Sequence, residues 1–205
     1  MKFYGFARAL LKAMFSGIYR IRVENPENEP EEAPFLVCAN HVSNTDVIVI
    51  GVMLKHQLRY MAKAELFKIP ILRHLLKMVG AFPVKRGAAD VSAIKTGLKQ
   101  LADGEVVAIF PQGTRFPGVD PRTTKPLPGA AMIAYRAKVP VLPVYVELKN
   151  NKHRIFRRHT VRIGKLITQE EMAFEGGTRS EYERVTDLIF DRIVELSPEV
   201  TGEKK

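Results

Sequence analysis

A chain of 205 residues is long enough to bury one continuous core, and it carries no polar linker that would divide it. Its 32 lysines and arginines against 22 acidic residues give a net charge of +10 and a pI near 9.8, so its partners are anionic: nucleic acid, anionic lipid, or a phosphorylated or acidic carrier. The single cysteine, Cys38, excludes an internal disulfide and reads as an inert core thiol in a reducing compartment, while five scattered histidines and one cysteine show no zinc-ligand spacing.

The first predicted element is Met1–Arg20. Phe3, Tyr4, Phe6, Leu10, Leu11, Met14, Phe15, Ile18 and Tyr19 are interrupted at roughly helical spacing by Lys2, Arg8, Lys12 and Arg20. The cations break the apolar run well short of the ~20 residues that span a bilayer, and they fall inside what would be the apolar region of a secretory signal. The pattern predicts an amphipathic helix lying in a membrane interface, occupying residues 1–25, with packing on the domain as its alternative use. Residues 26–205 then form one α/β domain.

Glu24–Pro34 reads as a loop. Phe35-Leu36-Val37-Cys38-Ala39 has the length and apolar content of a buried strand, Asn40–Thr45 is polar and turn-forming, and Val47–Ile50 resumes as helix or strand. His41 therefore stands just past a strand end, where α/β sheets place their chemistry. Leu58–Ala62 reads as a second strand ending at Lys63. Glu65–Met78 carries a helical stripe that Pro70 breaks or kinks, and Gly80 closes it. Phe82–Val84 is a short extended segment delivering Lys85-Arg86-Gly87. A helix runs from Asp90, its N-cap, to Ala102.

Val106–Phe110 is almost wholly apolar and reads as a central parallel strand running into Pro111-Gln112-Gly113-Thr114-Arg115. Pro117–Pro128 is a second loop. Gly129–Lys138 follows as a helix, then Val139–Val146 as a strand whose two prolines imply missing ladder bonds on one side. Thr160–Ile167 is the last strand. Thr178-Arg179-Ser180-Glu181 fits a capping box for a helix through Leu196, stopped by Pro198. Strands alternating with helices predict a single α/β domain with a largely parallel central sheet flanked by helices.

Two strings carry chemistry. In Asn40-His41-Val42-Ser43-Asn44-Thr45-Asp46, His41 and Asp46 cannot share a helical face, because five helical steps turn the second about 140° from the first. They act as a base and its orienter if His41 stands on the loop and Asp46 in the first turn of the next element. The alternative is a structural loop histidine and a helix-capping aspartate. No nucleophile accompanies them: a Gly-x-Ser-x-Gly elbow is missing, and Ser43 is two residues from His41 on a turn. A base without an enzyme nucleophile takes its nucleophile from the substrate, most simply a hydroxyl. In Phe110-Pro111-Gln112-Gly113-Thr114-Arg115, a Gly-Thr turn presents backbone N–H groups and a guanidinium fork to an anion. Arg86 ends its own apolar segment in the same way.

These blocks resemble those of the 1-acylglycerol-3-phosphate (lysophosphatidic acid) acyltransferase family of glycerolipid acyltransferases. That family carries Asn-His-x-x-x-x-Asp, Gly-x-Phe-x-x-x-Arg, Phe-Pro-Glu-Gly-Thr-Arg and Val-Pro-x-x-Pro in this order. Here they match Asn40–Asp46, Gly80–Arg86, Phe110–Arg115 and Val139–Pro143, within residues 35–150. The resemblance implies that His41 takes the proton from the free hydroxyl of a lysophospholipid while Asp46 orients it. The hydroxyl oxygen then attacks the thioester of acyl-CoA or acyl-carrier protein directly, in phospholipid biosynthesis. Arg86, Arg115 and Lys63 would grip the acceptor's phosphate, with Asn44, Gln112, Gly113 and Thr114 beside them. No metal or other cofactor is implied. The enzyme would sit, peripheral or monotopic, on the anionic cytoplasmic face of the cell membrane.

Two positions depart from the family. Gln112 stands where the family has Glu, which removes a negative charge and leads to an expectation of low turnover. Leu127 stands near a family Lys. Two other readings compete: a catalytically weak lipid-binding relative, and a basic nucleic-acid-binding module built on Lys149–His159. No recognised nucleic-acid motif accompanies that patch, so it reads either as a solvated loop or as a docking face for anionic lipid or an acidic carrier, and nucleic acid is not the expected partner.

Overall fold

Consecutive side chains of the strand β2 (Leu36–Ala39) enter two different cores: Leu36 and Cys38 on one face, Val37 and Ala39 on the other, all buried. A run that is apolar on both faces requires cover on both, and the sheet around β2 has it. The computed structural model describes residues 12–13, 16–17, 20–78, 80–84, 91–148 and 159–198. Its strands are β1 (Ile21–Glu24), β2, β3 (Leu58–Lys63), β4 (Ala81–Val84), β5 (Val106–Ile109), β6 (Val141–Leu148) and β7 (His159–Ile163). They form one seven-stranded sheet in the order β1-β7-β6-β2-β5-β3-β4, parallel at every junction except β6–β7.

The helices are α1 (Thr45–Met53), α2 (Pro70–Met78), α3 (Val91–Ala102), α4 (Gly129–Ala137), α5 (Gln169–Met172) and α6 (Arg179–Val194). Val49, Ile50, Val52 and Met53 of α1 cover one face of the sheet. Leu101 of α3, Ile133 and Ala134 of α4, and Val185, Ile189 and Ile193 of α6 cover the other. Each fully buried Leu, Ile or Val side chain stabilises the fold by about 1.5–3 kcal/mol relative to leaving it in water. The expected single α/β domain with a largely parallel, helix-flanked sheet is what folds.

Local differences from the sequence reading have physical causes. Val47–Ile50, read as helix or strand, is helical: four consecutive β-branched residues are poor helix formers, and burial against the sheet overrides that propensity. The N-terminal element was expected to occupy residues 1–25, but its last part belongs to the sheet. Ile21–Glu24 is the edge strand β1, paired in parallel with β7 from Ile21↔His159 to Glu24↔Arg162, with Ile21 and Val23 turned to the core. Four residues beside a basic amphipathic run carry too short an alternation to stand out. Most of Met1–Arg20 lies outside the described residues; the described positions 12–13 and 16–17 are helical.

Pro70 does break the Glu65–Met78 stripe: a 3₁₀ turn covers Ala64–Lys68, and α2 begins afresh at the proline. The β6–β7 ladder stops at Val144↔Ile163, next to Pro143. Pro143 O instead accepts from Gly164 N at 2.8 Å, and a side chain on Gly164 would meet the proline ring at 2.8 Å. Beyond that point Ile167 returns only as a single bridge to Val141, which is why the last strand is shorter than the predicted Thr160–Ile167. The capping box at Thr178 and Glu181 forms as expected. The backbone N–H groups of Glu175 and Thr178, donating to the Glu181 carboxylate, pull its pKa down to about 2.

The topology also locates a crevice. The connection leaving β2 passes through α1 on one face to reach β3, whereas the one leaving β5 passes through α4 on the other face to reach β6. Neighbouring strands whose connections diverge open a cleft at their carboxyl ends. The segments beginning at Asn40 and Phe110 emerge there.

Candidate active site

Asn40 terminates β2 with its side chain. Its Oδ1 accepts from Val146 N at 2.7 Å and its Nδ2 donates to Val146 O at 3.1 Å, so the amide stands in for one more ladder pair with β6. The main chain is thereby released from the sheet, and His41 follows on the loop. His41 Nδ1 lies 3.1 Å from Asp46 Oδ2, and the same carboxylate oxygen accepts from Val42 N and Ser43 N, each at 2.7 Å. Asp46 is in the first turn of α1 and only 1% exposed, so three donors converge on a buried carboxylate oxygen. The imidazole stacks on Phe110 with ring centres 4.0 Å apart and planes 18° from parallel. Its second nitrogen, Nε2, has no protein partner among the described residues.

The loop after β5 is fastened to the same histidine through the backbone. His41 N donates to Gln112 Oε1 at 2.6 Å, and Phe116 N donates to His41 O at 3.0 Å. Two strings 71 positions apart are thus joined at both polar groups of one residue. The loop turns tightly enough for Gly113 N to reach Phe110 O at 2.9 Å, with Gly113 at φ +68°. A side chain there would be strained by the left-handed backbone and would also meet Leu127 Cδ1 at 2.6 Å. Leu127 N donates to Pro111 O at 2.7 Å, so the departure at 127 packs on the loop as an apolar lid over Gly113.

Beside this junction lies a cavity of about 420 Å³, lined by Val42, Ser43, Asn44, Thr114, Arg115 and Pro117. Arg115 is exposed, and no carboxylate among the described residues pairs with it. A cationic fork, two hydroxyls and an amide around an open space suit a phosphorylated, hydroxyl-bearing ligand.

The profile of the family described as Acyltransferase matches residues 20–147. A 1-acyl-sn-glycerol-3-phosphate acyltransferase of Bacillus subtilis is 34% identical over 199 residues, which cover 94% of this chain and 96% of the relative. This chain belongs to the acyltransferase family. The family expected from the four blocks, that of the 1-acylglycerol-3-phosphate acyltransferases, is borne out, and with it the expectation of an acyltransferase enzyme. A lyso-ornithine lipid O-acyltransferase of Pseudomonas aeruginosa is 33% identical over 135 residues, covering 65% of this acyltransferase and 49% of the relative. The crystal structure of the 1-acyl-sn-glycerophosphate (LPA) acyltransferase from Thermotoga maritima superposes with a TM-score of 0.72 at 24% identity, covering 100% of this chain and 83% of that one, so the fold is shared.

Of the residues singled out in the sequence, the acyltransferase brings His41 and Asp46 into contact and sets Asn44, Thr114 and Arg115 on one cavity. Gly113 forms the turn between. Gln112 is 4% exposed beneath the loop and spends both ends of its amide on protein groups. Lys63 ends β3 at the same sheet edge, two strands from β2, with its side chain 49% exposed and 4.0 Å from Glu65. It does not line the cavity. Arg86 lies outside the described residues, as does the basic run Lys149–His159 apart from His159, which is buried in β7. Cys38 is fully buried, and burial raises its thiol pKa far above the ordinary range, as an inert core thiol requires.

Asn40, Phe110, Phe116 and Thr124 escape sequence reading as parts of the site. Asn40 and Phe110 lie inside the motifs and were available as candidates, but their roles are a ladder clamp and a ring stack with partners distant in sequence. Thr124 sits in an unpatterned loop and carries no signal at all.

Proposed function

We propose that this acyltransferase moves a fatty acyl group from an acyl thioester to the free hydroxyl of lysophosphatidic acid, giving phosphatidic acid. The observation that carries this reading is the buried His41–Asp46 pair, with Nε2 unpartnered, next to a cavity lined by Arg115. In the forward step Nε2 accepts the hydroxyl proton as the oxygen attacks the thioester carbonyl. Nδ1–H stays on Asp46, whose charge favours the imidazolium that forms. The tetrahedral adduct collapses, the carbon–sulfur bond breaks, and the imidazolium returns the proton to the leaving thiolate. Every proton is accounted for without an acyl-enzyme. The acyl donor is acyl-CoA or acyl-carrier protein, and a chain of net charge +10 attracts either.

The deciding experiment is transfer from labelled acyl-CoA and labelled acyl-carrier protein to lysophosphatidic acid, with a lyso-ornithine lipid as the competing acceptor. Labelled phosphatidic acid is expected; no product with either donor would overturn the reading. The anion grip gives a second prediction. Because charge-assisted hydrogen bonds contribute about 1.5–3 kcal/mol, Arg115→Ala should raise KM for lysophosphatidic acid by roughly 10–100-fold and leave that of the donor nearly unchanged. Equal rises for both substrates would assign Arg115 to the donor or to the loop.

Membrane association belongs to the same reading. No described helix is long and apolar enough to cross a membrane. At the sheet edge that bears His41, the turn Ala64–Lys68 and the start of α2 expose Leu66, Lys68, Ile69, Arg73 and Lys77, while Phe67 and Leu76 turn into the core. Apolar side chains set among cations suit an anionic lipid surface, and the basic aromatic segment Met1–Arg20 adds to them. Binding to vesicles is expected to require anionic phospholipid and to weaken as salt rises from about 0.1 to 1 M, over which the screening length drops from about 10 to 3 Å. Equal binding to neutral vesicles would remove the electrostatic part of this reading.

A further inference from the structure

Gln112 is the position at which this chain departs from the family's third block, and the directions of its hydrogen bonds follow from counting protons. Thr124 Oγ1 has one proton, and Pro121 O, 2.6 Å away, can only accept it. Toward Gln112, 2.7 Å away, Thr124 therefore presents a lone pair, so the amide atom facing it is the donor Nε2. The opposite end of the amide, Oε1, then faces His41 N–H at 2.6 Å, which can only donate. Both neighbours demand the same amide orientation. A one-way chain results: His41 N–H donates to Gln112, Gln112 to Thr124, and Thr124 to Pro121 O. It ends in the turn Pro121–Thr123, which Asp120 caps by accepting from Arg122 N at 3.0 Å.

A carboxylate at this position would keep the bond to His41 and lose the other. Thr124 Oγ1 would then sit 2.6 and 2.7 Å from two acceptors with one proton to share, and one of those contacts would be oxygen against oxygen. We propose that Gln112 and Thr124 are positioning residues that together set the peptide of His41, and so the place of its imidazole, and that Thr124 makes position 112 require an amide. Gln112 is then a matched partner of Thr124. This is the opposite of what charge alone leads one to expect: Gln112→Glu lowers turnover.

The test is a double-mutant cycle on the full-length enzyme with lysophosphatidic acid and acyl thioester. Gln112→Glu should lower kcat by about tenfold with the acceptor KM within about twofold, because the base is displaced and Arg115 is not. Thr124→Ala should cost about threefold. Combining them should recover part of the loss of Gln112→Glu, because the acceptor conflict disappears with the hydroxyl. The kinetic arm rests on the acyl-transfer reading; the second arm does not. In the NMR spectrum the His41 backbone amide proton should be shifted downfield by its short bond, move upfield in Gln112→Met, and move in the same direction by less in Thr124→Ala. A rise in kcat for Gln112→Glu, multiplicative effects in the cycle, or a His41 amide unmoved in both single NMR variants would each overturn the proposal.

Discussion

His41→Ala is expected to lower acyl transfer by roughly 10²–10⁴-fold, the usual contribution of a positioned general base. The effect should lie in kcat, because in the proposed mechanism Nε2 meets the acceptor hydroxyl as it reacts, whereas the proposed phosphate grip of Arg115 is untouched. The fold should persist. His41 is bound to its surroundings through its own N–H and C=O, to Gln112 and Phe116, and both groups survive the substitution. What is lost structurally is the stack on Phe110 and the bond to Asp46. Incubation with labelled acyl thioester alone should leave the wild-type chain unlabelled if, as proposed, the substrate supplies the nucleophile. Near-normal turnover in His41→Ala, or a stable acyl adduct on the protein, would defeat the mechanism.

The second large effect is expected at Asp46, and it should separate charge from scaffold. In Asp46→Asn the side-chain oxygen can still accept from Val42 N and Ser43 N at the place of Oδ2, so the loop holds. The negative charge beside the imidazole is gone. Turnover should fall by about 10² or more with little change in melting temperature. Asp46→Ala removes the acceptor as well, leaving two backbone N–H groups without their partner at the start of α1. Losing hydrogen bonds to a buried carboxylate costs about 1.5–3 kcal/mol each, so this variant should also melt several degrees lower. If the Asn variant turned over like wild type, Asp46 would be a loop tie alone.

Much of this architecture could be read in advance because the signals are local. The strand at Val106 is apolar at every position, which only a parallel strand covered on both faces requires, and β5 is paired in parallel on both sides. The capping box at Thr178 needs residues only three apart. Pro70 acts on its own turn. Weaker signals were those whose meaning depends on a distant partner. Ile21–Glu24 pairs with β7, some 138 residues later, and nothing in four residues announces that. Val47–Ile50 has β propensity and is helical because the sheet beneath it is already filled by strands, leaving cover as the remaining role for an apolar segment.

The same division runs through the site. By itself the sequence determined most of the order of strands and helices, the cationic balance, and the two strings that carry a histidine, a carboxylate and a Gly-Thr-Arg turn, since periodicity, turn chemistry and residue type are properties of short stretches. Tertiary structure alone decided that the strings meet. The pairing of β2 with β5 brings Asn40–Asp46 beside Phe110–Arg115, and only at that distance do the stack of His41 on Phe110 and the bond from His41 N to Gln112 exist. It also decided what Gln112 does. Its chemistry as an amide was visible from the start, but which end donates depends on a single proton on Thr124, held there by a carbonyl three residues before it.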